Sequence, residues 1–194
     1  MDVVDPRGPK LLSTITPGDQ WPDNHHSSVL DESRSLLIVN EEILEPELAA
    51  ASDGWGTQQI YDISDPLAPV IVAEVATPNS TTGTDPGGVD GYYSAHHTTL
   101  AGSMAVTSWY SDGVRLVDLT DPSAPTEVGS FVPPGSPDPY GYWIAPDGST
   151  AFPMVWGVDV QKETIYLSDI NSGLWVVRIG TESTTATRTL PAPG

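Results

Sequence analysis

Val114-Arg-Leu-Val-Asp-Leu-Thr-Asp-Pro-Ser-Ala-Pro125 is a short, β-branched apolar run that breaks at Asp-x-x-Asp-Pro-x-x-Pro. Proline fixes φ and removes an amide from any strand ladder, while aspartate accepts a hydrogen bond from the turn backbone. The motif therefore ends one strand and reverses the chain. It also runs from Asp2 to Pro9 and from Asp62 to Pro69, so successive copies are 60 and 56 residues apart. Recurrence at that distance marks repeated supersecondary units. Residues 96–119 align without a gap on residues 156–179, which sets Ser108 on Ser168 and Gly113 on Gly173. His25-His26-Ser27-Ser28-Val29 matches His96-His97-Thr98-Thr99-Leu100, whereas the third copy has Trp156-Gly157 in place of two histidines.

Within each unit the apolar runs are short and bounded by Gly, Pro, Asp or Ser, which predicts strands rather than helices. Four strand positions follow. The first covers 25–30, 96–101 and 155–160, and the second covers 36–40, 104–109 and 164–168. The third, before the Asp-Pro turn, covers 58–63, 114–119 and 174–179, and the fourth, after it, covers 11–16, 70–75 and 127–132. Units of four antiparallel strands at this spacing are the pattern of β-propeller blades.

Ile60-Tyr-Asp-Ile-Ser-Asp-Pro-Leu-Ala-Pro69 and the Val114 to Pro125 stretch resemble the LVIVD repeat, a bacterial and archaeal β-propeller family often found in secreted or surface proteins. Ser108-Trp-Tyr-Ser-Asp-Gly-Val-Arg and Tyr166-Leu-Ser-Asp-Ile-Asn-Ser-Gly-Leu resemble further stretches of the same family, so the likeness extends from residue 2 to about 180. It implies a propeller and a secreted or cell-surface location, but no single activity. The chain is short for that family. One leading strand, two units of four and a last unit of three make twelve strands, or three blades' worth, where a closed propeller has about four to eight blades. The expected fold is therefore all-β: a half-propeller of three four-stranded blades, closed to six blades by a homodimer. In it the leading outer strand, 10–16, completes a blade and removes exposed edges. Units at about 25–76, 96–132 and 155–180 make up a propeller region over 1–180, and residues 181–194 read as a polar Thr/Pro tail.

Composition narrows the partners. With 194 residues, 38% of them hydrophobic, the chain can bury a core. Its 26 acidic residues face only 7 Lys and Arg, for a formal charge of −19. Such a chain is repelled by nucleic acid and anionic lipid and attracts divalent cations. No apolar run is long enough to insert in a membrane. The absence of cysteine excludes disulfides, thiolate metal sites and a cysteine nucleophile. Residues 1–9 lack the basic-then-apolar pattern of a signal peptide, so either none existed or it was removed. A Gly-x-Ser-x-Gly elbow, a phosphate loop, His-Glu-x-x-His and a dinucleotide fingerprint are all missing.

Because the first two strands of a unit are antiparallel, the start of one and the end of the other share a rim. That rim gathers every histidine, His25, His26, His96 and His97, together with Asn40, Glu41, Glu42, Ser108, Trp109, Ser168 and Asp169. The long connections 77–95 and 133–154 enter it with Tyr92, Tyr93, Tyr140, Tyr142 and Trp143, and long loops on a rigid scaffold are where function concentrates. Strand alternation sends at most one histidine of each pair to a shared site. Three roles are open for it: a satisfied polar group beside a channel, a metal ligand or a general base. Glu41-Glu-Ile-Leu-Glu-Pro-Glu47 is either a solvated loop or part of a calcium site, and Asp85-Pro-Gly-Gly-Val-Asp90-Gly91 offers carboxylates without an EF-hand pattern.

Two functions fit. The first is a metal-dependent hydrolase of a small lactone or ester, by analogy with paraoxonase- and gluconolactonase-type propellers. Calcium held among His25, His96, Glu41 and Asp169 would polarise the carbonyl, and His26 or His97 would activate water. Zinc or copper could replace calcium through the histidines. The second is a non-catalytic secreted or surface propeller whose Tyr92, Tyr93, Trp109 and Trp143 bind a glycan, peptide or protein partner.

Overall fold

The apolar runs become strands in all three units. The computed structural model describes residues 7–15, 24–51, 54–81 and 90–180. In the first unit β1 (His25–Asp31), β2 (Leu36–Glu41), β3 (Gln58–Asp62) and β4 (Val70–Val75) form an antiparallel sheet in chain order, with helix α1 (Pro46–Ala51) between β2 and β3. Helix α2 (Pro78–Thr81) leads to the second sheet, β5 (His97–Ala101), β6 (Met104–Ser108), β7 (Val114–Asp118) and β8 (Thr126–Phe131). A short ribbon, β9 (Ser136–Pro137) with β10 (Ala151–Phe152), precedes the third sheet, β11 (Val155–Gln161), β12 (Thr164–Asp169) and β13 (Gly173–Arg178). The described chain is thus all-β, with four antiparallel sheets and two short helices.

Sequence periodicity missed the ribbon and both helices, because each is too short to leave a repeating apolar pattern. The leading strand expected at 10–16 differs as well. Residues 11–15 lie outside any strand, and Thr16 lies outside the described residues. Ser13 instead donates its hydroxyl proton to the Pro66 carbonyl at 2.7 Å, and Ile15 lies against the first sheet beside Leu37 and Tyr61. The tail at 181–194, residues 85–89 of the Gly-rich acidic turn and the start of the first motif copy also lie outside the described residues.

The Asp-Pro turns behave as their chemistry requires. Asp62 accepts from the Ser64 amide at 2.8 Å and Asp65 from the Leu67 amide at 2.9 Å, and Asp118 and Asp121 repeat this with Thr120 and Ser123. Gly113 is required where it stands. Its φ is +74°, and a Cβ there would sit 2.2 Å from the Phe131 carbonyl oxygen.

First strands line up across the units, β1 against β5 and β5 against β11. Leu36, Ile38 and Ile60 meet Ala105, Val117 and Leu119 at the seam of the first two sheets. Val106, Val114 and Leu116 meet Val155, Ile165, Leu167 and Trp175 at the next. Each fully buried aliphatic side chain contributes about 1.5–3 kcal/mol of transfer free energy. A third cluster, including Ile43, Trp55, Tyr92, Tyr110, Phe152 and Met154, ties the connections together.

Ladder register supplies the true equivalences. Ser27 pairs with Asn40, His97 with Ser108, and Gly157 with Ser168. His26, His96 and Trp156 are therefore counterparts, as are Glu42, Tyr110 and Ile170. Matching His-His to His-His in the first two units is off by one. Residues 32–35 make the first hairpin turn, whereas only 102–103 make the second. The register also skips at His26 and at Trp156, bulges that re-aim those side chains.

Candidate metal centre

The bulges bring three rings of neighbouring first strands together. His26 and His96 have ring centroids 4.4 Å apart, and so do His96 and Trp156. Glu42, one residue past β2, reaches both histidines: Oε2 is 3.0 Å from His26 Nδ1, and Oε1 is 3.6 Å from His96 Nε2. One ligand atom each from His26, Glu42 and His96 lies within 4.8 Å of the other two.

Two neighbours, Tyr110 and Trp156, fix the hydrogen bonds of this group. Tyr110, fully buried at φ +41°, donates its hydroxyl proton to Glu42 Oε1. Such a φ is costly for a non-glycine residue and persists only where its surroundings over-determine it. Here the amides of Gly113 and Val155 both donate to the Tyr110 carbonyl at 3.1 Å. Burial first, and Glu42 second, push the Tyr110 phenol far above its ordinary range, so it stays a donor.

His96 is 5% exposed, and its Nδ1 lies 2.5 Å from the Trp156 carbonyl oxygen. A carbonyl only accepts, so Nδ1 carries the proton. Burial lowers the His96 pKa despite the opposing pull of Glu42, which favours neutral imidazole. Nε2 is then a lone pair, buried and without a hydrogen-bond partner, turned toward a carboxylate oxygen. Two electron-rich atoms in that relation are stabilised by a cation between them, and fixing the far ring nitrogen on a backbone carbonyl is how proteins orient metal-ligating histidines. Two imidazoles and one carboxylate suit zinc and other transition metals rather than calcium.

The remaining candidates are deployed differently. His25 Nε2 lies 3.1 Å from Gln59 Oε1, and His97 is exposed and lines a groove with Trp156, Asp159, Tyr166 and Leu174. Neither belongs to the His26–Glu42–His96 group. Glu41 and Asp169 are counterparts, and both are buried. Glu41 accepts from the Thr57 hydroxyl at 3.0 Å. Asp169 Oδ1 accepts from the amides of Asn171 and Ser172 at 3.0 and 2.7 Å, capping the turn, and Oδ2 accepts from the Met154 amide at 2.7 Å, so both oxygens are committed. The four aromatic candidates secure loops. Trp109 is fully buried and donates to the Tyr93 carbonyl at 2.8 Å, and Tyr93 donates to Asp90. Tyr92 donates to the Ile144 carbonyl at 2.8 Å and packs edge-on against Trp143 with centroids 5.6 Å apart. Tyr140 and Tyr142 form the exposed aromatic pair instead, stacked with centroids 6.0 Å apart.

Sequence reasoning gave His96 and His26 separate roles, as ligand and as base, named Glu42 only among the rim acids, and gave Tyr110 and Trp156 no role; the structure sets His26, Glu42 and His96 together. Unit alignment held the missing signal: Ser108-Trp-Tyr110 set on Asn40-Glu-Glu42 would have paired Tyr110 with Glu42.

A membrane-spanning helix is absent among the described residues. No protein-family model matches the chain, and neither does any curated protein sequence. Among solved structures it is similar to two computationally designed proteins. Ika8 is 10% identical over 78% of this chain with a TM-score of 0.45, and the chain spans 32% of its length. Ika4 is 11% identical over 89% of this chain and all of its own, with a TM-score of 0.44. Likeness at that level carries no argument about fold or function.

Proposed function

We propose that this chain is a β-propeller segment of the LVIVD-repeat kind that hydrolyses a small lactone or ester at a metal held by His26, Glu42 and His96. One observation carries the reading: a buried His96 Nε2, its tautomer set by the Trp156 carbonyl, is aimed at Glu42 with no hydrogen-bond partner. A transition metal on three protein ligands keeps an open position, at which it lowers the pKa of bound water to about 7 and polarises a carbonyl. The chain's own part is positional. Trp156 orients His96, Tyr110 holds one Glu42 oxygen, and His26, with a side chain 36% exposed, faces the approach. Committed Glu41 and Asp169 carboxylates argue for zinc-class metals over calcium. The stacked, exposed Tyr140 and Tyr142 favour the binding-propeller alternative, in which a glycan or peptide is held without turnover.

The test is chelation followed by titration with zinc and with calcium, read by calorimetry and by hydrolysis of a lactone and ester panel. One zinc per chain, weak or no calcium binding, and turnover lost in Glu42→Gln are the expected results. Failure to bind zinc overturns the centre, and zinc binding without turnover overturns the hydrolase in favour of binding.

A further inference from the structure

Among the described residues, one face of the third sheet stands uncovered at positions that are buried in the other two. Ladder register makes Ile38, Val106 and Tyr166 counterparts, and likewise Ile60, Leu116 and Val176. In the first two sheets these residues are 0–8% exposed, because each sheet packs that face on the next sheet along the chain. In the third, Tyr166 is 37% exposed, Val176 is 56%, and Leu174, counterpart of buried Gln58 and Val114, is 68%. Large apolar groups on a contiguous exposed face mark an interface. The missing surface exists at the other end of the same chain. Leu37 and Tyr61 of the first sheet are counterparts of Ala105 and Val117, which receive the preceding sheet at the internal seam, and in the single chain Ile15 of the leading segment lies against them.

We propose that the outward face of β11–β13 docks the β1–β4 sheet of a second copy of this chain, head to tail, so that two copies close a six-sheet ring. The inference rests on the propeller reading. Each new junction copies a seam the chain already makes twice, six sheets fall within the range of about four to eight for closed rings, and two-fold closure leaves no sheet face bare. The row His26, His96, Trp156 then continues with Trp156 set beside the partner's His26.

The test is sedimentation of the full chain over a wide concentration range, in enough salt to screen the −19 charge on each copy. A species at twice the 20.6 kDa chain mass is expected. Leu174→Asp weakens association by about 100-fold with an unchanged circular dichroism spectrum, and Val176→Asp serves in its place if that variant does not fold. Leu67→Asp, on the exposed β3–β4 turn, leaves association unaltered. A wild-type chain that stays monomeric, or a dimer indifferent to both face variants, overturns the proposal. Monomers that still bind one zinc per chain would overturn this face alone and leave the metal centre standing.

Discussion

The two seams between the three main sheets share a backbone plan and differ in chemistry. At the first, Gln58 donates to Thr107 at 2.7 Å and Thr98 at 2.9 Å, Asn40 donates to Ser27 and Thr98 at 3.0 Å, and the row ends at His26, Glu42 and His96. At the second, Val114, Val155, Leu167 and Trp175 fill the same space, and the row ends at His96, Tyr110 and Trp156. Both seams bury apolar side chains, and the second adds more of them where the first carries polar groups. A buried polar seam contributes less free energy but fixes geometry, since each group must keep its partner. The candidate metal group sits where the geometry is fixed.

Leu167→Ala in the apolar seam removes a fully buried side chain, and a loss of about 2–5 kcal/mol in denaturant unfolding is expected, with zinc binding retained. A cost below about 1 kcal/mol would break the contrast between the seams. Tyr110→Phe at the polar seam removes one hydrogen bond to Glu42. Its expected cost is smaller, about 1–2 kcal/mol, but zinc affinity falls about 10-fold, as calorimetry would show. An equal stability loss in both variants would make the polar seam structural as well. The smallest effect is common to both regions. Hydrogen bonds from Ser64 and from Thr120 hold Asp62 and Asp118 below the ordinary carboxyl value of 3.8. Their contribution is therefore present above pH 3.8 and is lost as pH falls through the depressed folded values. Melting temperature measured against pH should fall less steeply below about pH 4 in Asp62→Asn plus Asp118→Asn than in the wild type.

Strand positions were legible because they depend on local chemistry: β-branched runs and Asp-Pro turns act within a few residues, and Asp62 and Asp118 make the turn bonds their sequence implies. The site was legible only in part. That histidines gather at one rim follows from antiparallel pairing, but which histidine meets which depends on a hairpin turn two residues longer in the first unit and on bulges at His26 and Trp156. Neither leaves a mark in composition or periodicity. Glu42 and Glu41 are indistinguishable as adjacent glutamates. One accepts from Thr57 and the other faces two imidazoles, because successive residues of an extended chain point in opposite directions. The sequence by itself determined an all-β repeat with an acidic, histidine-bearing rim. Tertiary structure decided the chemistry of that rim, because pairing register and the packing of neighbouring sheets select which side chains share a buried space.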